Sequence, residues 1–182
     1  MSLINIVLFQ PEIPQNTGNI ARMCVSNDLV LHLIKPLGFE LTDKYLKRAG
    51  LDYWQDLEYK VYESWEEFLA TVIPNEVRNP MQNQKGEDWS TGSLPFDFAQ
   101  GRDDKPKIWL LTTKAEKSFW EVKFKEGDYL VFGPETRGLP EELIKEHYDH
   151  SIKVPMRSDK SRSLNLASTA QTVFYEAFRQ LN

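Results

Sequence analysis

A single α/β domain on a mainly parallel sheet is what this sequence predicts, and three observations predict it. Apolar runs of strand length recur along the chain, each followed by a proline, glycine or capping residue and then by a segment with helical spacing. The first of these runs, Leu3 to Phe9, is apolar nearly throughout, as in a buried parallel strand. The C-terminal segment places Leu166, Ala170, Val173, Phe174, Ala177, Phe178 and Leu181 on one stripe, the pattern of an amphipathic helix.

The elements follow in order. Leu3 to Phe9 reads as a buried strand, broken by Pro11 and Pro14. Asn16 or Thr17 then caps a helix carrying Ile20, Met23 and Cys24. Val30 to Ile34 is a second strand, ended by Pro36 and Gly38. Thr42 opens a short helix through Arg48 that Gly50 closes. Tyr59 to Tyr62 is a brief strand, after which Ser64 caps a helix through Leu69 with Glu67 as its capping-box partner. Ile108 to Thr113 and Tyr129 to Phe132 are strands. Pro140 begins a helix at a favoured first-turn position, and Ser151 to Val154 is the last strand.

One stretch breaks the pattern. From about Thr71 to Pro106 there is no sustained period, and Pro74, Pro80, Pro95 and Pro106 are scattered among Gly86, Gly92, Gly101 and several amides. Such a stretch buries too little apolar surface to offset its ordering entropy. It reads as an insertion at about 71–106 within one domain spanning 1–182, with a functional arm displaying Trp89, Phe96 and Phe98 as the alternative. Arg78, Lys85, Arg102 and Lys105 are outnumbered there by Glu76, Glu87, Asp88, Asp97, Asp103 and Asp104, so charge does not make it an RNA-binding arm.

Composition narrows the class. The 182 residues fit one domain, no apolar run approaches a membrane span, and the N-terminus lacks a secretory pattern. Cys24 is the only cysteine, which excludes an internal disulfide and suits a reducing cytoplasm. The net charge of −5 argues against a non-specific nucleic-acid coat. Positive charge is nevertheless clustered at Lys44, Lys47 and Arg48, and again at Arg157, Lys160 and Arg162.

Three separate segments carry polar chemistry at strand-to-helix junctions, where α/β proteins build ligand sites. They are Asn16 to Arg22, Phe132 to Pro140, and Val154-Pro155-Met156 with Ser161 to Asn165. The second is glycine-rich, yet it matches neither the dinucleotide fingerprint nor a P-loop. Read alone it is equally a tight turn whose Glu135 and Arg137 pair or face solvent. The first is equally a capped helix start with an exposed arginine, and the hydroxyls and amide of the third are equally caps. His32, His147 and His150 show no metal-ligand spacing and read as structural, as does Cys24.

Taken together the segments resemble a known family. Asn5 to Phe9 with Pro11-Glu12-Ile13-Pro14-Gln15-Asn16-Thr17-Gly18-Asn19-Ile20, Arg48-Ala49-Gly50-Leu51-Asp52-Tyr53, Phe132 to Pro140 and Ser161 to Leu166 are similar to the SPOUT methyltransferases. The branch is the tRNA (cytidine/uridine-2′-O)-methyltransferases of TrmL (YibK-like) type, which act on the wobble nucleotide. The resemblance spans nearly all of the chain outside Thr71–Pro106. It implies a parallel α/β fold with a deep C-terminal trefoil knot, S-adenosylmethionine as donor with S-adenosylhomocysteine as product, no metal, and a homodimer sharing its site between subunits. Another RNA such as rRNA, or a catalytically idle RNA-binding relative, is the alternative.

Carried over by position, Leu111, Gly133, Val154 and Ser163 would bind the donor. Arg22 would sit by the target ribose with Asn16 nearby, and Glu135, Ser161 and Asn165 would complete the catalytic set. A guanidinium stays protonated in ordinary surroundings, so Arg22 is expected to orient and stabilise charge while a phosphate or another neighbour takes the proton. Lys44, Lys47, Arg48, Arg157 and Arg162 are expected to contact phosphates of the tRNA anticodon stem-loop; no membrane and no protein partner are expected. The loop before Ser161 is one residue longer than the family pattern, at Lys160, which bears on the pocket's geometry.

Overall fold

The computed structural model describes residues 2–41, 52–73, 105–158 and 160–182. Its strands are β1 (Asn5–Phe9), β2 (Leu31–Ile34), β3 (Tyr59–Tyr62), β4 (Ile108–Leu111), β5 (Tyr129–Phe132) and β6 (Ser151–Ile152). They form one sheet in the order β3-β2-β1-β5-β4-β6, with every pairing parallel. The helices are α1 (Pro14–Ser26), α2 (Trp65–Val72), α3 (Glu141–Glu146) and α4 (Leu166–Leu181). The predicted α/β class is the observed one.

Alternation along the central strands divides the core in two. Ile6 and Leu8 of β1, Leu31 and Leu33 of β2, and Leu130 and Phe132 of β5 face α1 and α4, meeting Ile20, Cys24, Ala170, Val173 and Phe174. Val7, Phe9, Ile34, Leu110 and Val131 face the other way, toward Phe68 and Leu69 of α2 and Leu143 and Ile144 of α3. Helices therefore cover both faces of the central strands, which is why these read as apolar runs. Burial pushes the Cys24 thiol up to about 12, consistent with a small core residue.

The sheet reverses direction of growth between β1 and β5: β2 and β3 extend one side, β5, β4 and β6 the other. Crevices at such points, outside the carboxyl ends of the strands, are where open α/β sheets bind ligands. Asp128 fixes the entry to β5, its buried carboxylate accepting from Lys107 N at 2.7 Å, Trp109 Nε1 at 2.8 Å and Lys125 N at 3.0 Å.

The far edge has an unusual closure. Thr112 N donates to Ile152 O on one side of β6, while on its other side Lys153 N donates to Lys117 O and Phe119 N to Lys153 O. The connection leaving β4 thus passes round the end of β6 and returns beside it.

Several local expectations change. Pro14 itself opens α1, with Ile13 as a cap that makes no side-chain bond, so Asn16 and Thr17 lie inside the first turn instead of capping it. Proline at the first position needs no acceptor for an N–H it lacks, and this moves the start forward. Pro140 caps α3 from just outside, and α2 runs past Leu69 to Val72, tied by Thr71 Oγ1 donating to Glu67 O at 2.8 Å. Ser64 does cap α2, accepting from Glu67 N, while the Glu67 carboxylate bonds Glu63 N. On α4, Phe178 is 38% exposed rather than part of the buried stripe. The helix expected from Thr42 to Arg48 and nearly all of the 71–106 insertion lie outside the described residues.

No helix among the described residues is long and apolar enough to cross a membrane, and they hold no His, Cys, Asp or Glu group suited to a metal ion.

The histidines are structural groups with a consequence for stability. His32 is buried against Tyr62, Phe68 and Tyr129, with Nδ1 2.8 Å from the Tyr62 hydroxyl. Burial, with a smaller contribution from Lys60, lowers its pKa from 6.5 to about 4; burial, then His150, does the same for His147. The unfolded chain therefore takes up protons that the fold refuses as pH falls from about 6.5 toward 4. Stability is expected to be fully present above pH 6.5 and to drop by about 3 kcal/mol per histidine across that window. Urea unfolding against pH measures it, and His32→Gln should flatten the slope.

Candidate active site

Three loops meet at the carboxyl end of the sheet around β1, β5, β4 and β6, enclosing a cavity of about 460 Å³. Apolar walls come from Leu111, Phe132, Leu139, Val154 and Leu166, with polar groups from Thr112, Thr113, Glu135 and Ser163. Apolar walls with a few fixed polar groups suit an organic ligand of nucleoside size.

Glu135 organises the cavity's edge. Its carboxylate accepts from Glu12 N at 2.9 Å, Ile13 N at 3.2 Å and Asn16 Nδ2 at 3.0 Å. It thereby supplies the negative charge at the N-terminus of α1 that the helix's own first turn, without an acidic residue, does not. The Asn16 side-chain oxygen in turn accepts from Asn165 Nδ2 at 2.9 Å. Asn165 does two things at once: its own oxygen caps α4, accepting from Ala167 N at 2.9 Å and Ser168 N at 3.2 Å. A chain of side chains from β5's loop through α1 to α4 thus rims the cavity. Glu135 and Arg137 do not pair with each other; Arg137 donates to Gln10 at 2.7 Å.

Gly133 makes the close approach its position demands. A Cβ there would stand 2.4 Å from Leu139 N and 2.6 Å from the Gly138 carbonyl carbon. Gly138, at φ +71°, lets the same loop turn back.

The structure brings together seven of the nine predicted site residues. Leu111, Gly133, Val154 and Ser163, expected to bind a donor, all line the cavity, and so do Asn16, Glu135 and Asn165. Arg22 and Ser161 do not line it. Arg22 is exposed on α1, and Ser161 donates to Ser163 O at 2.8 Å, bracing the loop from outside. Arg157, Lys160 and Arg162 are exposed beside the third loop, and Arg162 reaches the cavity wall. Lys44, Lys47 and Arg48 lie outside the described residues.

Sequence reasoning missed Thr112, Thr113 and Lys114, which line the wall beyond β4. Their position past the carboxyl end of a parallel strand was the available signal. Lys114 is held by Glu141 at 2.5 Å, a contact that, with Lys145 near, keeps the Glu141 carboxyl below its ordinary range.

A sequence profile of the SpoU rRNA methylase family matches residues 3–100 and 97–175. A Saccharophagus degradans protein named tRNA (cytidine(34)-2′-O)-methyltransferase is 42% identical over 98% of this chain and 96% of its own length. A structure described as giving insights into the 2-OH methylation of C/U34 on tRNA is 38% identical, covers 97% of this chain and 95% of its own, and superimposes with a TM-score of 0.75. The SpoU methyltransferase AviRb from Streptomyces viridochromogenes, solved with AdoMet, shares the fold at 20% identity and a TM-score of 0.67, covering 97% of this chain and 57% of its own.

Gly133→Ala forces the loop apart where its backbone strands nearly touch. It is expected to destabilise the protein by about 2 kcal/mol, read as a lowered denaturation midpoint. Gly138→Ala meets no atom within 4 Å, so only its left-handed backbone resists, and a smaller loss of about 1 kcal/mol is expected.

Proposed function

The chain belongs to the SpoU rRNA methylase family, and we propose that it methylates the ribose 2′-oxygen of the wobble pyrimidine, nucleotide 34 of tRNA, as its relatives are named for doing. S-adenosylmethionine is the proposed donor, and a cytoplasmic homodimer the proposed form. The observation that carries the reading is the convergence of Leu111, Gly133, Val154 and Ser163 on one cavity whose rim is the Glu135–Asn16–Asn165 chain.

The residues fit such a donor. Leu111, Phe132 and Val154 offer an apolar slot for a purine, and Gly133, lacking a Cβ, lets the Gly138–Leu139 backbone close the cavity's wall against the end of β5. When bound, S-adenosylmethionine would supply a sulfonium methyl group that a 2′-oxygen can attack in line, with S-adenosylhomocysteine as the leaving group. Alignment is then the protein's main task. Asn16, locked between Glu135 and Asn165, cannot rotate without breaking two hydrogen bonds, so it is a fixed feature of the rim. Arg22 is proposed to orient the ribose and to stabilise charge as the oxygen loses its proton, while Ser161 braces the donor loop through Ser163.

An arginine standing outside the wall of its own chain's cavity fits a site shared between two subunits. The final helix adds support, since Tyr175 and Phe178 are exposed there beside Phe174 and pack ring against ring. Arg157, Lys160 and Arg162 are the proposed phosphate contacts.

Labelled methyl transfer from S-adenosylmethionine to unmodified tRNA, followed by nucleoside analysis, is the test. A 2′-O-methylated pyrimidine at the wobble position is expected, with kcat lowered at least about a hundredfold by Arg22→Ala in a protein that still folds. Label in rRNA instead, or RNA binding without label, overturns the assignment. Light scattering should give twice the 21.2 kDa chain mass, and Phe178→Glu should shift it toward monomer.

A further inference from the structure

We propose that Glu12 is a positioning residue for methyl transfer, holding the Glu135–Arg137 turn of the donor cavity against the start of the helix that carries Asn16 and Arg22. The proposal rests on the reading that this cavity takes the donor.

The contact is reciprocal. Glu12 N donates to the Glu135 carboxylate at 2.9 Å, and the Glu12 carboxylate accepts from Thr136 Oγ1 at 2.7 Å and Thr136 N at 3.1 Å. Each loop therefore offers a carboxylate to the other's backbone, across the point where the sheet reverses its growth. Glu135, Thr136 and Arg137 line the cavity, and Glu12 does not. Glu12 thus acts on a ligand only through the turn it holds.

Its surroundings fix Glu12 in turn. Gly38 packs behind it so closely that a Cβ there would stand 2.7 Å from Glu12 Cα, and Gly38 N donates to Pro11 O at 2.9 Å. On the other flank Gln10 adopts φ 50°, a left-handed conformation that a non-glycine residue keeps only when held, and its side chain accepts from Arg137. The Thr136 hydroxyl, more than the neighbouring Arg137 charge, keeps the Glu12 carboxyl below its ordinary range.

Calorimetric affinity for S-adenosylmethionine, measured beside the thermal midpoint, separates positioning from simple stabilisation. Glu12→Ala is expected to weaken donor binding about tenfold through the freed turn. Glu12→Gln keeps an oxygen acceptor for both Thr136 groups and is expected to lose no more than about threefold. Because Glu12 works through Thr136, the losses from Glu12→Ala and Thr136→Val should be clearly less than additive when combined. Wild-type affinity in a folded Glu12→Ala protein overturns the proposal, as do independent, additive losses from the two substitutions. If Glu12→Ala does not fold, Thr136→Val decides alone, and wild-type affinity there overturns it. A wild-type chain that binds no donor overturns the methyltransferase reading, and the proposal with it.

Discussion

The carboxylate of Glu135 accepts hydrogen bonds from the backbone N–H groups of Glu12 and Ile13 at the start of α1, and at the same time fixes the Asn16 amide. A helix leaves its first N–H groups without partners, and here the acceptor comes from a loop more than a hundred residues away. That loop could not reach α1 unless β1 and β5 were neighbours, which the register Leu8 beside Phe132 provides. Moving either strand by one residue would turn its side chains to the opposite face and carry the loop out of range. Sheet register, helix start and cavity rim are therefore one constraint.

The edge of the sheet serves the same site by a different route. Because β6 lies between β4 and the returning Lys117–Phe119 segment, it has no free edge there to pair with another chain. What leaves it is directed back over the sheet, through Val154 and Met156 to the Asn165 cap of α4. The chain thereby returns to Asn16 from the side opposite Glu135. At the other end of α4, Gln180 accepts from Phe124 N and donates to Val122 O, anchoring the helix on the β4–β5 connection that surrounds β6.

Strands were legible because burial on both faces leaves an unbroken apolar run, as in Asn5–Phe9 and Tyr129–Phe132. The stripe of α4 was legible down to Ala177, but Phe178 was not distinguishable from a core residue, since apolar character alone does not say what covers it. The cap of α1 was misread for a physical reason. Asn16 has the chemistry of a cap, and only three-dimensional proximity shows that its amide is committed to Glu135 and Asn165 while Pro14 begins the helix. Local rules see caps within a few residues; this one spans the fold. The site residues themselves came from a family resemblance, because nothing in spacing tells Gly133 as a cavity wall from Gly133 as a turn. Glu12 stood in a quoted motif without a role, since its partner Thr136 is equally remote in sequence.

Net charge misleads about how an acidic chain would meet a polyanion. At physiological ionic strength exposed charges are screened beyond about 8 Å, so a phosphate responds to its immediate surroundings rather than to the sum of −5. Lys114, Arg137 and Arg162 stand in the cavity wall against the single carboxylate of Glu135. Glu135 has its oxygens occupied by Glu12 N, Ile13 N and Asn16, while Arg137 donates to the Gln10 amide beside the Glu12 carboxylate. Lys114 is offset by Glu141 and Arg137 stands beside the Glu12 carboxylate, which leaves Arg162, with Arg157 and Lys160 on the same loop, as the local positive charge. Spending Glu135 on the helix start thus does two things: it orders the rim, and it commits the cavity wall's own carboxylate to the positive end of α1.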